Sequence, residues 1–167
     1  MKERDNYYLN LNLSYLKEIK EVILNTEITS HLKVSSANNL SPVLNKNDKN
    51  LNNINNPQDE CKALFKNCPK DQNILIVGLE LGYTLKFACK NYNAQITLFE
   101  NDFELIRYVL QKINLIEYLA KPNFKFITNI SDIQIKDKTS IIANEYYQKE
   151  YKEIISQIKK SHLIGGH

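Results

Sequence analysis

Apolar positions in this chain change their spacing twice, and the changes divide it. Over residues 11–25 the sequence LNLSYLKEIKEVILN repeats at helical spacing, with Leu13, Leu16, Ile19, Val22 and Ile23 on one face. Lys17, Glu18, Lys20 and Glu21 take the other face, which predicts an amphipathic helix capped by Asn12 or Ser14. Residues 28–34 have room for one short strand. The following SSANNLSPVLNKNDKNLNNINN is dominated by Asn, Ser, Lys and Asp, with Pro42 in its middle. So polar a stretch buries too little apolar surface to offset its chain entropy, which predicts a linker or surface loop. A small β-hairpin flap anchored by Leu40, Val43 and Leu44 is the other arrangement open to it.

At Asn56 helical spacing returns. Asn56 is the expected N-cap, Pro57 the first helical residue, and Asp59 and Glu60 sit in the first turn, where the helix dipole favours acids. This helix turns Cys61, Leu64 and Phe65 inward and stops before Pro69. Short apolar runs then alternate with helical periods. The pattern predicts strands at 74–78, 95–99, 124–128 and 140–143. It predicts helices at 83–90, at 103–113 with the pattern running on to Leu119, and at 148–160. Pro122 ends the middle helical stretch. Continuous apolar strands such as ILIV suit a sheet covered on both faces. The expected fold class is α/β: a Rossmann-like three-layer domain over residues 56–167, with a short parallel sheet in order 3-2-1-4. A helical N-terminal extension over residues 1–55 precedes it. Gly165-Gly166-His167 reads as a loop cut short, so the chain is expected to be a fragment of a larger protein.

Bulk composition narrows the function classes. At 167 residues the chain is sized for one domain plus an extension, and 43% hydrophobic content is enough for a core. A net charge of +3 is too mild, and its lysines too dispersed, to imply a nucleic-acid partner. Cys61, Cys68 and Cys89 are odd in number and lack CxxC spacing, so ordinary thiols are expected rather than a disulfide framework. His31, His162 and His167 are scattered and form no metal cluster with them. There is no leader pattern, and no apolar run approaches the ~20 residues a membrane helix needs. A cytoplasmic protein without a membrane partner is expected.

Candidate chemistry concentrates between Asn73 and Glu100. Strand, glycine turn, helix, strand and acid follow in the order of a nucleotide-binding unit. Gly78 and Gly82 let backbone approach a ligand, the helix start offers free N–H groups, and Glu100 is placed to accept ribose hydroxyls. Glu80 stands where backbone meets the ligand, and it repels a pyrophosphate by roughly 1 kcal/mol or more. That argues against a dinucleotide and penalises S-adenosylmethionine less, although Ile76 stands where a methyltransferase has an acid. The plain structural reading is a tight strand–helix turn with Glu100 at a solvated strand end.

The run Ile74-Leu75-Ile76-Val77-Gly78-Leu79-Glu80-Leu81-Gly82-Tyr83 resembles the strand and glycine turn of the N-terminal domain in motility accessory factor (Maf) proteins. Leu98-Phe99-Glu100-Asn101 is similar to that domain's second strand, Asn56-Pro57 with Glu60 to its helix start, and Ile141-Ile142 with Tyr146, Tyr147 and Tyr151 to its last strand and tyrosine-rich helix. Glu80 departs from the family's middle glycine. The resemblance implies a flagellin-modifying glycosyltransferase that uses CMP-activated nonulosonic acids. The family's transfer chemistry resides in a separate central domain that would begin beyond His167. This chain would then be an accessory domain with no catalytic residues of its own, facing flagellin or another protein, or a nucleotide or nucleotide-sugar.

The candidate binding set is Gly78, Glu80, Gly82, Tyr83, Glu100 and Asn101, joined by Asn144 and Glu145 at the end of the fourth strand. Asn144 and Glu145 serve equally as helix caps, and Asn129 and Asp132 after the third strand as turn residues. Tyr7, Tyr8, Tyr146, Tyr147 and Tyr151 are candidates for a protein-contact surface. No Ser/His/Asp set, HExxH or P-loop is present, which removes the hydrolase and kinase classes. Three readings stay open: a Maf-like binding domain, a small S-adenosylmethionine-dependent methyltransferase-like enzyme, and a folded remnant without ligand.

Overall fold

The computed structural model describes residues 2–165, so Gly166 and His167 of the expected cut-short loop lie outside the described residues. Four strands form the central parallel sheet: β4 (Asn73–Val77), β5 (Ile96–Phe99), β6 (Phe124–Ile127) and β7 (Thr139–Ile142). Their spatial order is β6-β5-β4-β7, which is third, second, first, fourth by position along the chain. Ile74 pairs with Ile96 across one side of β4 and with Ser140 across the other. In β4 isoleucine, leucine and valine run without a break, and Ile74 to Val77 are all buried, as a sheet covered on both faces requires.

Helix α4 (Tyr83–Asn91) packs on β4 and β5, and α3 (Pro57–Leu64) packs on α4. Asn56 caps α3 as its spacing indicates, its side chain accepting from the Asp59 N–H at 3.0 Å. The expected helix at 103–119 divides into α5 (Phe103–Lys112) and α6 (Ile116–Leu119), because Ile113 is extended. The expected helix at 148–160 begins earlier and also divides, into α7 (Glu145–Glu150) and α8 (Lys152–Gly165). None of these described helices is long and apolar enough to cross a membrane.

Two N-terminal expectations are corrected. The helix expected over residues 11–25 is two helices, α1 (Lys2–Leu13) and α2 (Lys20–Leu24). Asn12 does not cap it. Its buried amide donates to Leu110 O at 2.9 Å and Ile113 O at 2.8 Å and accepts from Leu115 N–H at 2.9 Å. These bonds satisfy the backbone groups that the break between α5 and α6 leaves free. Val22, expected inward, is largely exposed, while Ile23 is fully buried.

The asparagine-rich stretch is not a linker. It forms a three-stranded antiparallel sheet, β1 (Leu32–Ser36), β2 (Pro42–Lys46) and β3 (Lys49–Asn50). Ala37, Val43, Leu44 and Leu51 anchor it in the core. Leu40, the third expected anchor, is 83% exposed at a turn with φ 69°. Asn47 and Asp48 both have positive φ and close the β2–β3 hairpin in two residues, the geometry of a type I′ turn. Asparagine amides make the remaining links: Asn38 to Asn55 at 2.6 Å, Leu44 N–H to Asn52 at 3.0 Å, and Asn45 to Asn50 at 3.0 Å. Short amides that cross-link turns let a polar composition fold around few apolar anchors.

Candidate functional site

The turn from β4 into α4 depends on three left-handed residues, Gly78 (φ 109°), Glu80 (φ 45°) and Gly82 (φ 85°). Glycine carries the first and last without steric cost. Glu80 holds its conformation because both its backbone and side chain are bonded. Its N–H donates to the Tyr147 hydroxyl at 3.1 Å. Its carboxyl accepts from Thr84 N–H at 3.0 Å, from the Thr84 hydroxyl at 3.3 Å and from the Asn144 amide at 3.0 Å. The carboxyl therefore takes the free N–H of the α4 start that an anionic ligand would use. Burial pushes Glu80 up to about 8, with the nearby Glu60 carboxyl adding to the rise and the Thr84 N–H opposing it.

Glu100, at the end of β5, is completely buried rather than solvated. One oxygen accepts from the Tyr147 hydroxyl at 2.7 Å and Leu79 N–H at 3.1 Å. The other accepts from Asn101 N–H at 3.1 Å, Asp102 N–H at 3.3 Å and the Tyr151 hydroxyl. Burial raises its pKa, and the two tyrosine hydroxyls and the Leu79 N–H act the other way. The acid that would accept ribose hydroxyls in a nucleotide-binding unit here accepts tyrosine hydroxyls of its own chain.

Tyr147 completes the closure. Its ring lies directly on Gly78, where an added Cβ would come within 2.3 Å of the ring atoms. Tyr147 is 1% exposed, so it is a core residue and not part of the contact surface proposed for the tyrosines. Tyr151 meets it edge-on, with ring centroids 5.0 Å apart. Asn144 orients this arrangement: its oxygen caps α7 by accepting from Tyr147 N–H at 3.1 Å, and its amide reaches Glu80 and Leu51 O.

Of the expected set, Gly78, Glu80, Glu100 and Asn144 converge around Tyr147. Gly82 lies beside Leu115, and its added Cβ would be 3.1 Å from that side chain. Tyr83 points its hydroxyl to Pro42 O at 2.6 Å, tying α4 to β2. The Asn101 and Glu145 side chains are exposed, and Glu145 pairs with Lys149 at 3.3 Å. Asn129 caps a short 3-10 turn by accepting from Ser131 N–H at 3.0 Å. Cys61, beside Thr84, is buried, and burial first and the neighbouring Glu80 second push its thiol up to about 12. Tyr147 and Tyr151 are the residues whose role spacing did not reveal. Tyr147 lies in α7 and Tyr151 is its C-cap residue, one turn on, and both hydroxyls reach Glu100.

Fold and site together define an α/β domain whose glycine turn is closed by its own side chains. No protein-family model matches the chain, and no curated protein matches it. The solved structure of the Maf glycosyltransferase from Magnetospirillum magneticum AMB-1 is similar in fold, with a TM-score of 0.64 at 14% identity. The match covers 98% of this chain and 35% of that one, so the chain spans about a third of the neighbour's length.

Proposed function

We propose that the chain is a Rossmann-like accessory module of a Maf-like glycosylation system, one that binds a protein such as flagellin and performs no transfer itself. The α/β unit over residues 56–167 is its body, and residues 1–55 form a cap on it. The observation that carries this reading is the closure of the glycine turn by Tyr147 and Tyr151. A side chain that fills the space over Gly78 and saturates Glu100 does there what a nucleoside does in an enzyme of this fold. The fold likeness to a Maf glycosyltransferase along nearly the whole chain supports the system named. Gly78, Glu80, Glu100 and Asn144 are then residues of a structural knot rather than of a cofactor site.

Titration calorimetry with S-adenosylmethionine and with CMP tests the reading. The expected result is no heat from either ligand, together with retention of purified flagellin on the immobilised chain. Micromolar affinity for S-adenosylmethionine that Gly82→Asp abolishes would establish the methyltransferase-like alternative instead.

A further inference from the structure

Away from the closed turn, the sheet has an edge that the described chain leaves unused. β7 pairs with β4 and with no other strand. Lys138 O accepts from Asn73 N–H at 2.8 Å. A parallel ladder alternates, so Ser140 and Ile142 turn their backbone groups to β4, and Thr139, Ile141 and Ala143 turn theirs outward. Ala143 O is taken by the Gln148 amide at 2.8 Å. The N–H and carbonyl of Ile141 have no partner among the described residues.

A groove of about 660 Å³ runs beside this edge, between α3 and α8. Leu64, Ile141 and Ile155 give it an apolar floor, and Lys152, Lys159 and Lys160 stand exposed along it, with no acid among its described lining residues. An unpaired strand beside an apolar groove is the surface that accepts an added strand, whose alternate side chains enter the groove. The lysines decide which strand. A second copy paired edge to edge would bring two such lysine sets to one seam, which like-charge repulsion opposes. An acidic strand places its carboxylates against them.

We propose that β7 accepts a further strand from a partner protein: an extended segment alternating acidic and apolar residues. It pairs with the outward backbone groups of Ile141 and lays its apolar side chains toward Leu64 on α3, which leaves the alternate, acidic ones on the α8 side. Its carboxylates meet Lys152, Lys159 and Lys160. The closed glycine turn takes no part in this binding.

Fluorescence anisotropy on the whole chain tests it, with a labelled alternating glutamate–valine peptide of about 6 residues, the length of an ordinary strand. The lysine–valine counterpart and a glutamate–valine peptide N-methylated at alternate residues are the comparisons. The expected result is saturable binding of the acidic peptide and loss of binding on N-methylation. Combined Lys152→Glu, Lys159→Glu and Lys160→Glu should weaken the acidic peptide about tenfold and favour the lysine peptide. Equal binding of both peptides, indifference to N-methylation, helix formation by the bound peptide, or no binding at all would overturn the proposal. So would a homodimer that the charge reversals strengthen. If the charge-reversed chain fails to fold, the N-methylated peptide still decides, because it leaves the protein unaltered.

Discussion

The end of the sheet around Tyr147 and the edge at β7 lie within a few residues of each other in sequence and treat polar groups in opposite ways. At the closed turn, Glu80, Glu100 and Asn144 are buried, and each finds its partners inside the chain. At the edge, Ile141 has backbone groups that find no partner among the described residues, beside exposed lysines. A buried polar group without a partner costs about 1–3 kcal/mol, so a turn that buries two carboxyls and an amide is stable only if the chain's own groups serve as their partners. An exposed edge has no such requirement, since water satisfies it. The comparison teaches where recognition is sought in a fold of this type: at groups the chain has left for others, rather than at a motif whose groups it has already used.

The largest effect expected at the closed end is from Gly78→Ala. The added methyl meets the Tyr147 ring and also enforces an L-residue at φ 109°. Destabilisation of about 4 kcal/mol or more is expected in urea unfolding. In a Tyr147→Ala background the clash is gone, and Gly78→Ala should cost only the backbone strain of about 1–2 kcal/mol. A double-mutant cycle with no coupling between the two positions would mean that Tyr147 does not sit on the turn.

A second test uses pH, because the two ends carry their charges differently. The folded Glu80 pKa, about 8, lies above the ordinary carboxylate value of 4.5. Between those values the folded chain holds a proton that the unfolded chain has released. Its stabilising contribution is therefore complete below pH 4.5 and is lost as pH rises through about 8. The slope approaches 1.4 kcal/mol per pH unit in that window. Glu100 is shifted in the same direction and adds to the fall. Glu80→Gln should remove its share of the slope whatever it does to absolute stability, and an unchanged slope in urea titrations from pH 5 to 8 would contradict the assignment. Glu104, in the first turn of α5, contributes oppositely: the Thr29 and Ser30 N–H groups donate to its carboxylate and hold it down at about 2, so its contribution is present above 4.5 and lost as pH falls through 2.

Much of this was legible in the sequence and part was not, for physical reasons. Apolar runs such as Ile74 to Val77 locate strands because both faces of the sheet are buried, and Asn56-Pro57 locates a helix start because capping is local. The N-terminal sheet was hidden because its stability comes from asparagine cross-links and four buried anchors, which mean composition does not record. Asn12 was misread for the same reason: its partners lie about a hundred residues away. Spacing singled out Gly78, Glu80 and Glu100 as a candidate ligand set, but it held no sign of what fills the space between them. Tyr147 comes from another helix, and its approach to Gly78 is a property of tertiary packing alone.

The smallest effect is expected near the open edge, and it completes the contrast. Asp71 and Lys138 approach to 3.4 Å at the foot of β7, with their side chains 64% and 70% exposed. Water solvates both ions in the folded and unfolded chain, and holding two long side chains in one geometry costs entropy. Asp71→Asn should therefore change stability by less than about 0.5 kcal/mol. The same measurement in high salt should show no further change, since there is little attraction left to screen. If Asp71→Asn instead costs as much as a substitution within the closed turn, the edge is not the solvated surface its exposure indicates, and the distinction between the two regions fails.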